Sequence, residues 1–296
     1  MKLLHVTDTH LGIDRWYQGA PPGWRRSDDH LAALALALAP ARRGEVDLVV
    51  HSGDLFDRSR APAKAVVAAA ALFADVASVV PVLLLPGNHD ARGLGPHFPT
   101  PIPGVQIVDQ PTRVSIAGVA VAVVPYFKRA NDWAAAAAPF AGVDLLVCHQ
   151  SFHGCYVPGY TFRPGGNDET VAARQVPRVG AVLCGHIHTR QTLDLGQTRV
   201  VFPGSSERTS FTERHETKGY ATWELGATFH PTFVDLPTRP MQVVRVPADL
   251  DGVSPGCLVH VSADDPAELE VHAFRRGAYV TGRAAPSAQV PLFRPG

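Results

Sequence analysis

Five short polar clusters hold residue types that bind divalent cations: Asp8-Thr9-His10, Gly53-Asp54, Gly87-Asn88-His89-Asp90, His149 and Gly185-His186-Ile187-His188. Carboxylate, imidazole and neutral amide oxygen suit manganese, iron or zinc better than a soft ion such as copper(I). Alternation around one residue in Asp8-Thr9-His10 and His186-Ile187-His188 points two side chains the same way if the segments are extended. Gly53, Gly87 and Gly185 precede ligand-type residues, consistent with sharp turns where the backbone bends into a site. Two cations about 3.5–4 Å apart hold a hydroxide between them and clamp a phosphate for in-line displacement. One carboxylate must then be shared, and Asp54 is the natural candidate. The sequence contains no G-x-S-x-G elbow, no Walker A loop and no cysteine-nucleophile motif, so covalent catalysis and nucleotide-driven motor activity are poorly supported.

Each residue alone has a plainer reading. Asp8 or Asp54 caps a helix or turn, Asn88 is a turn residue, and His149 is a hydrogen-bonded structural histidine. Jointly the plain readings fail, because five independent clusters would have to mimic one metal site by chance. For His5, His51, His153, His215, His230, His260 and His272 the structural reading stands, as it does for Asp57. Arg25, Arg26 and Arg208 read equally as phosphate contacts and as solvated arginines.

The elements that must position these clusters are short Val- and Leu-rich runs, each ending in a polar cluster: Lys2–Val6, Asp47–Val50, Val79–Leu85, Val119–Val124, Val143–Val147 and Val179–Leu183. They read as strands buried on both faces. Arg199–Phe202, Tyr220–Leu225 and Thr232–Leu236 read as later strands. Helices are predicted from Ser27 to about Leu38, stopped by Pro40; from Pro62 through Val76; from Asn131 to Ala138; and from Asn167 or Asp168 to about Gln175. Alternating strands and helices followed by a run of strands argue for an α/β layered domain. Ligand sites in such sheets form outside the carboxyl ends of the strands, where all five clusters lie.

With 296 residues the chain can hold one catalytic domain and a short appendage. Formal net charge is zero, which gives no support to a polyanionic partner, although a local basic cleft is compatible with it. Cys148, Cys155, Cys184 and Cys257 match no zinc spacing, and the apolar runs around Cys148 and Cys184 suit small buried residues of a reducing compartment. Acidic chemistry already at Asp8 and the lack of a membrane-length apolar run predict a cytoplasmic protein with no membrane association.

The blocks D-T-H-L-G at Asp8, G-D-L-F-D at Gly53, G-N-H-D at Gly87, His149 and G-H-I-H at Gly185 resemble the calcineurin-like metallophosphoesterases, in the family order and over about residues 1–237. The run P-G-S-S-E-R-T-S-F from Pro203, Lys218-Gly219 and L-P-T-R-P-M at Leu236 are similar to the SbcD branch of DNA-repair exonucleases. The resemblance implies a four-layer αββα sandwich and a manganese-dependent nuclease cleaving DNA phosphodiesters, with iron or zinc as other ions. It implies that Asp8, His10, Asp54 and His188 hold one ion and that Asp54, Asn88, His149 and His186 hold the other. His89 would act on the scissile phosphate or protonate the leaving oxygen, and Asp90 would orient His89.

From Met241 the composition changes. Val243–Val246, Leu258–Val261 and Ala278–Thr281 read as strands, Ala267–Phe274 alternates like a strand, and Ala284–Gly296 reads as flexible. Residues 241–296 are too short for the full capping domain of the SbcD branch. The helical segment that would dock an SbcC-like coiled-coil ATPase is not evident, and a homodimer is left open. With few phosphate contacts expected, single-stranded or frayed DNA ends are the favoured partner. A phosphodiesterase or phosphatase of the same fold acting on nucleotides or small phosphoesters is the alternative; a non-catalytic subunit that kept the fold is opposed by the intact Asp8, His10, Asn88 and His89.

Overall fold

The computed structural model of the chain describes residues 1–15, 17–91, 93–116, 119–158, 169–225 and 229–281. In chain order the strands of the first half are β1 (Lys2–Val6), β2 (Tyr17–Gln18), β3 (Leu48–Ser52), β4 (Val82–Leu85), β5 (Val105–Ile107), β6 (Thr112–Ile116), β7 (Val119–Val124) and β8 (Leu145–His149). The second half contributes β9 (Ala181–Gly185), β10 (Gln191–Leu195), β11 (Thr198–Phe202), β12 (Lys218–Leu225), β13 (Phe229–Leu236), β14 (Met241–Val244), β15 (Leu258–Val261) and β16 (Tyr279–Thr281). The helices are α1 (Arg26–Ala37), α2 (Ala39–Arg42), α3 (Ala63–Ala77), α4 (Ala130–Ala137) and α5 (Ala267–Arg275).

Two six-stranded sheets, ordered β13-β12-β1-β3-β4-β5 and β10-β11-β9-β8-β7-β6, form the larger unit. Every residue of β3, β4, β8 and β9 is buried, as expected of strands covered on both faces. Leu3, Val50, Leu83, Val121, Val147, Leu183 and Trp223 fill the space between the sheets. Leu34 of α1, Leu38 just after it, and Phe73 and Val76 of α3 cover the outer face of the first sheet. Trp133 and Ala137 of α4 cover the second. Each fully buried aliphatic or aromatic side chain contributes roughly 1.5–3 kcal/mol, and the outcome is the expected helix–sheet–sheet–helix layering. Pro40 does not simply stop a helix: α1 ends at Ala37, and Pro40 sits in the first turn of α2, where a missing N–H is tolerated.

Two expected elements differ. Asn167 and Asp168 lie outside the described residues, and the stretch after them forms only a 3₁₀ turn at Ala173–Gln175. Val171 is instead extended, donating to the Ser151 carbonyl at 3.0 Å and accepting from His153 at 2.9 Å, so tertiary pairing overrides helix propensity. Ala267–Phe274 is helical rather than strand-like. Leu269 and Ala273, four residues apart, are its buried side, and Glu268 and Glu270 suit its first turn.

The smaller unit comprises Asp14–Arg26 and Arg239–Gly296. Its sheet runs β14-β15-β16-β2, with parallel pairs up to β16 and an antiparallel pair between β16 and β2. Leu269 and Ala273 pack with Val244, Val259 and Val280 in its own core. Trp24 lies 5.1 Å from the Tyr279 ring, and the Arg239 guanidinium is 4.9 Å from the Trp24 ring centroid. This unit recruits residues 14–26 from near the chain start. The Ala284–Gly296 tail lies outside the described residues. Among the described residues, no helix is long and apolar enough to cross a membrane.

Candidate metal centre

The five clusters sit at the carboxyl ends of neighbouring strands: β1, β3 and β4, parallel in one sheet, and β8 and β9, parallel in the other. Among the described residues, the non-glycine positions with positive φ are Asp8 (51°), His10 (44°), Asp54 (52°) and His186 (86°). Such conformations cost on the order of 1–3 kcal/mol each and persist only where surroundings impose them. All four are ligand candidates, so the alternation of Asp8 with His10 and of His186 with His188 does not work through extended backbone. Instead, the loop after β1 is laced to the loop after β3. Asp8, His10 and Leu11 N–H donate to the carbonyls of Gly53, Asp54 and Leu55 at 3.0, 3.1 and 2.8 Å.

Of the three flanking glycines only Gly53 takes a positive φ, 108°. Gly87 and Gly185 are needed for space. A Cβ on Gly87 would run into the Asp54 carboxylate, and one on Gly185 into the Thr7 hydroxyl and the His149 ring.

Asp54 lies at the middle of the cluster. Its Oδ2 is 3.4 Å from His149 Nε2 and 3.7 Å from His10 Nε2, while its Oδ1 accepts the His89 N–H at 2.8 Å. Both Asp8 oxygens accept the His186 N–H, at 3.0 and 3.1 Å. His188 Nε2 is 3.8 Å from Asp8 Oδ1 and 3.0 Å from His10 Nε2. Asn88 Oδ1 lies 3.0 Å from His149 Nε2 and 2.8 Å from His186 Nδ1. The seven residues expected to ligate are thus brought together, with Asp8 and His149 fully buried and His10 and Asp54 nearly so.

The chemistry of this donor set fits a cation. His149 Nδ1 is 2.8 Å from the Ser52 carbonyl, so Nδ1 carries a proton and donates. In the neutral ring Nε2 then presents a lone pair to Asn88 Oδ1 and Asp54 Oδ2, which are themselves acceptors. Buried acceptors facing acceptors are unfavourable unless a positive charge lies among them. Burial alone would lower the His149 pKa, but Asp54 and Asp8 beside it push it up to about 9. Burial opposes ionisation of Asp54, yet His149 and His10 hold it well below the usual carboxylate range. His10 is driven well down by burial and by His188, leaving a neutral ring able to ligate. A metal bound at His149 Nε2 would have to displace a proton from the ring.

His89 Nδ1 lies 2.7 Å from the Asp57 carbonyl oxygen, and its ring meets His10 edge-on at 4.8 Å between centroids. Nε2 is then the ring atom not engaged by that carbonyl, and His89 lies close enough to His10 and Asp54 for the three to offer ligand atoms within 4.8 Å of one another. Asp90 does not orient it. The Asp90 carboxylate accepts the N–H groups of Leu55, Phe56 and Gly87 at 3.0, 3.1 and 3.0 Å, tying the loop after β3 to the loop after β4. Three backbone donors outcompete one imidazole, and burial together with Asp54 raises the Asp90 pKa to about 7.

Several residues at the site escape sequence reasoning. Glu213 Oε1 accepts from His188 Nδ1 at 3.0 Å, and Glu213 Oε2 is 2.7 Å from the fully buried Lys218 ammonium. Burial would raise Glu213, but Lys218 and His188 hold it well below the usual range. Glu169 Oε1 lies 3.9 Å from His186 Nε2, and its other oxygen accepts the Tyr126 hydroxyl at 2.7 Å. The buried Lys218 charge requires carboxylate partners, but its burial is visible only in the fold.

The other buried histidines are structural. His5 Nε2 pairs with the Ser52 hydroxyl at 2.7 Å, His51 Nε2 with the Thr9 hydroxyl at 3.0 Å, and His30 Nδ1 donates to the Thr9 carbonyl at 2.9 Å. Arg208 donates to the Glu216 carbonyl at 2.9 Å, and Arg26 is buried rather than solvated. All four cysteines are free and buried, in keeping with a packing role.

The sequence profile described as calcineurin-like phosphoesterase matches residues 1–190. The DNA double-strand break repair protein Mre11 of Haloferax volcanii is 31% identical over 273 residues, 85% of this chain and 55% of that protein. Mre11 of Halobacterium salinarum is 32% identical over 225 residues, 74% of this chain and 55% of that protein. The 3',5'-cyclic adenosine monophosphate phosphodiesterase CpdA of Escherichia coli K12 is 29% identical over 247 residues, 77% of this chain and 86% of that protein. The chain spans little more than half the length of these two Mre11 proteins.

Proposed function

Since the chain belongs to the calcineurin-like phosphoesterase family, we propose that it is a two-metal nuclease, hydrolysing DNA phosphodiester bonds with manganese. The observation that carries the reading is the set of lone pairs on Asp8, His10, Asp54, Asn88, His149, His186 and His188 converging around the Asp54 carboxylate, with Asp8, His10, Asp54 and His149 buried. Asp8, His10, Asp54 and His188 would hold one ion; Asp54, Asn88, His149 and His186 would hold the other. Two bound ions supply charge neutralisation and a water activated for attack on phosphorus. Asp54 would be shared by both positions, and His89 Nε2 would meet the phosphate or protonate the leaving oxygen. Asp90, through its three amide bonds, holds the loops that carry Asp54 and Asn88 at a set separation.

DNA as substrate draws on the similarity to the Mre11 proteins and on the Pro203–Phe211 block. With a formally neutral chain, phosphate contacts are few and the salt dependence of binding shallow, so single-stranded or frayed ends are the preferred form. One observation favours a second reading, a phosphodiesterase for small nucleotides: the similarity to CpdA extends over 86% of that protein. The two separate in one assay, in which the manganese-loaded protein meets end-labelled single- and double-stranded DNA beside a small phosphodiester. Cleavage of DNA ends is expected. Turnover of the small diester with all DNA intact would replace the nuclease by the phosphodiesterase.

A further inference from the structure

The imidazoles at the two ends of the centre are supported by unlike groups. His149 Nδ1 donates to a neutral backbone acceptor, the Ser52 carbonyl, at 2.8 Å. His188 Nδ1 donates to a carboxylate oxygen of Glu213 at 3.0 Å. That carboxylate is itself built into place. Its Oε1 also accepts the Thr209 hydroxyl at 2.5 Å, and its Oε2 accepts the Thr209 N–H at 3.1 Å and the Lys218 ammonium at 2.7 Å. Lys218 is fully buried, meets Glu216 Oε2 at 2.8 Å, and donates to the His188 carbonyl at 3.0 Å. The chain thus returns from β12 to brace His188 at both its ring and its backbone.

We propose that Glu213, held by Thr209 and Lys218, is a positioning residue that sets the tautomer and ring orientation of His188. It thereby tightens the metal position of Asp8, His10 and His188 relative to that of Asn88, His149 and His186. A carboxylate on the far nitrogen obliges Nδ1 to carry the proton, so Nε2 presents its lone pair towards Asp8 and His10. It also makes that lone pair more basic than a carbonyl partner would. Lys218 balances the added negative charge, which keeps Glu213 ionised and stationary in a buried place. Neither group reaches the scissile phosphate by this route; both act through His188. The inference rests on the reading of the cluster as a two-metal centre and adds that its halves are unequal.

The test is calorimetric titration of Mn²⁺ into the full-length chain stripped by chelator, with anomalous scattering at limiting Mn²⁺ to show which position fills first. The wild type should bind two ions with separable affinities and fill the His188 position first. Glu213→Gln, which keeps an oxygen but removes the charge, should weaken that position about tenfold, and Glu213→Leu about a hundredfold, the range typical of groups that orient a metal-binding histidine. The His149 position should keep its affinity. Thr209→Val leaves the carboxylate and Lys218 in place and should weaken the same position by a smaller factor, so the inference stays testable if Glu213→Leu does not fold. A role confined to packing would not move the ¹⁵N resonance of His188 Nδ1, which should shift in apo Glu213→Gln. Two ions in the wild type with unaltered binding in both Glu213→Gln and Thr209→Val overturns the inference alone. Fewer than two ions in the wild type overturns it together with the reading of the centre.

Discussion

Two groups of histidines in the larger unit are set apart by their partners. His5, His30 and His51 are fully buried, as is His149, and His10 is nearly so. The first group meets hydroxyls and a carbonyl; His10 and His149 meet Asp54 and the Asn88 amide, and the partly buried His188 beside them meets Asp8 and Glu213. Burial drives His5 and His51 down to about 3, each further lowered by a neighbouring histidine. Carboxylates reverse the same burial and bring His149 to about 9. Burial thus keeps a histidine neutral, as at His5, His51 and His10, unless nearby carboxylates outweigh it, as at His149. The strained backbone separates the groups in the same way, since Asp8, His10, Asp54 and His186 have left-handed φ and none of His5, His30 or His51 does.

The largest effect should come from removing the shared carboxylate. Asp54→Asn removes the charge that both metal positions use, so manganese binding should drop from two ions to one or none and turnover to background, by elemental analysis and a cleavage assay. Retention of both ions would mean that the histidines do not need Asp54, and the contrast between the groups would collapse. His89→Ala should retain both ions and lose roughly 10²–10⁴-fold in turnover; loss of an ion would instead move His89 into the ligand set.

A pH effect distinguishes the inert group. The folded pKa of His5 and His51, about 3, lies below the ordinary histidine value of 6.5, so below about 6.5 the unfolded chain takes up protons that the folded chain refuses. Their contribution is whole above that pH and is lost as pH falls towards about 3, at roughly 1.4 kcal/mol per pH unit for each histidine. Urea melts of the apo protein across this window should show the slope, and His51→Gln should make it shallower; an unchanged slope would contradict the assignment. The smallest effect belongs to Tyr126→Phe, which removes one hydrogen bond to Glu169. It should cost about 1 kcal/mol of stability and weaken manganese binding only a few-fold, both readable in one titration series.

The ligand-type residues were legible because each directly follows an apolar run that had to be a strand, and strand ends in layered α/β folds converge. How they converge was not. Alternation suggested extended segments, whereas interlaced loops force left-handed backbone. Asp90 sits beside His89 in sequence, yet its partners come from the loops after two different strands, which only the assembled sheet brings near. Glu213 lies 25 residues from His188, with nothing local to connect them. Glu-Leu-Glu-Val in α5 satisfies both periods, and packing of Leu269 and Ala273 decides for helix. Residues 14–26 join the smaller unit because β2 pairs with β16, a contact between distant parts of the chain that no linear boundary reveals.

Anomalous diffraction from crystals of the manganese-saturated protein tests most directly whether carboxylates make this histidine group a shared metal centre. Two peaks per chain are expected, about 3.5–4 Å apart, with Asp54 touching both, Asp8, His10 and His188 around one, and Asn88, His149 and His186 around the other. A single peak, or two peaks that do not share Asp54, would contradict it.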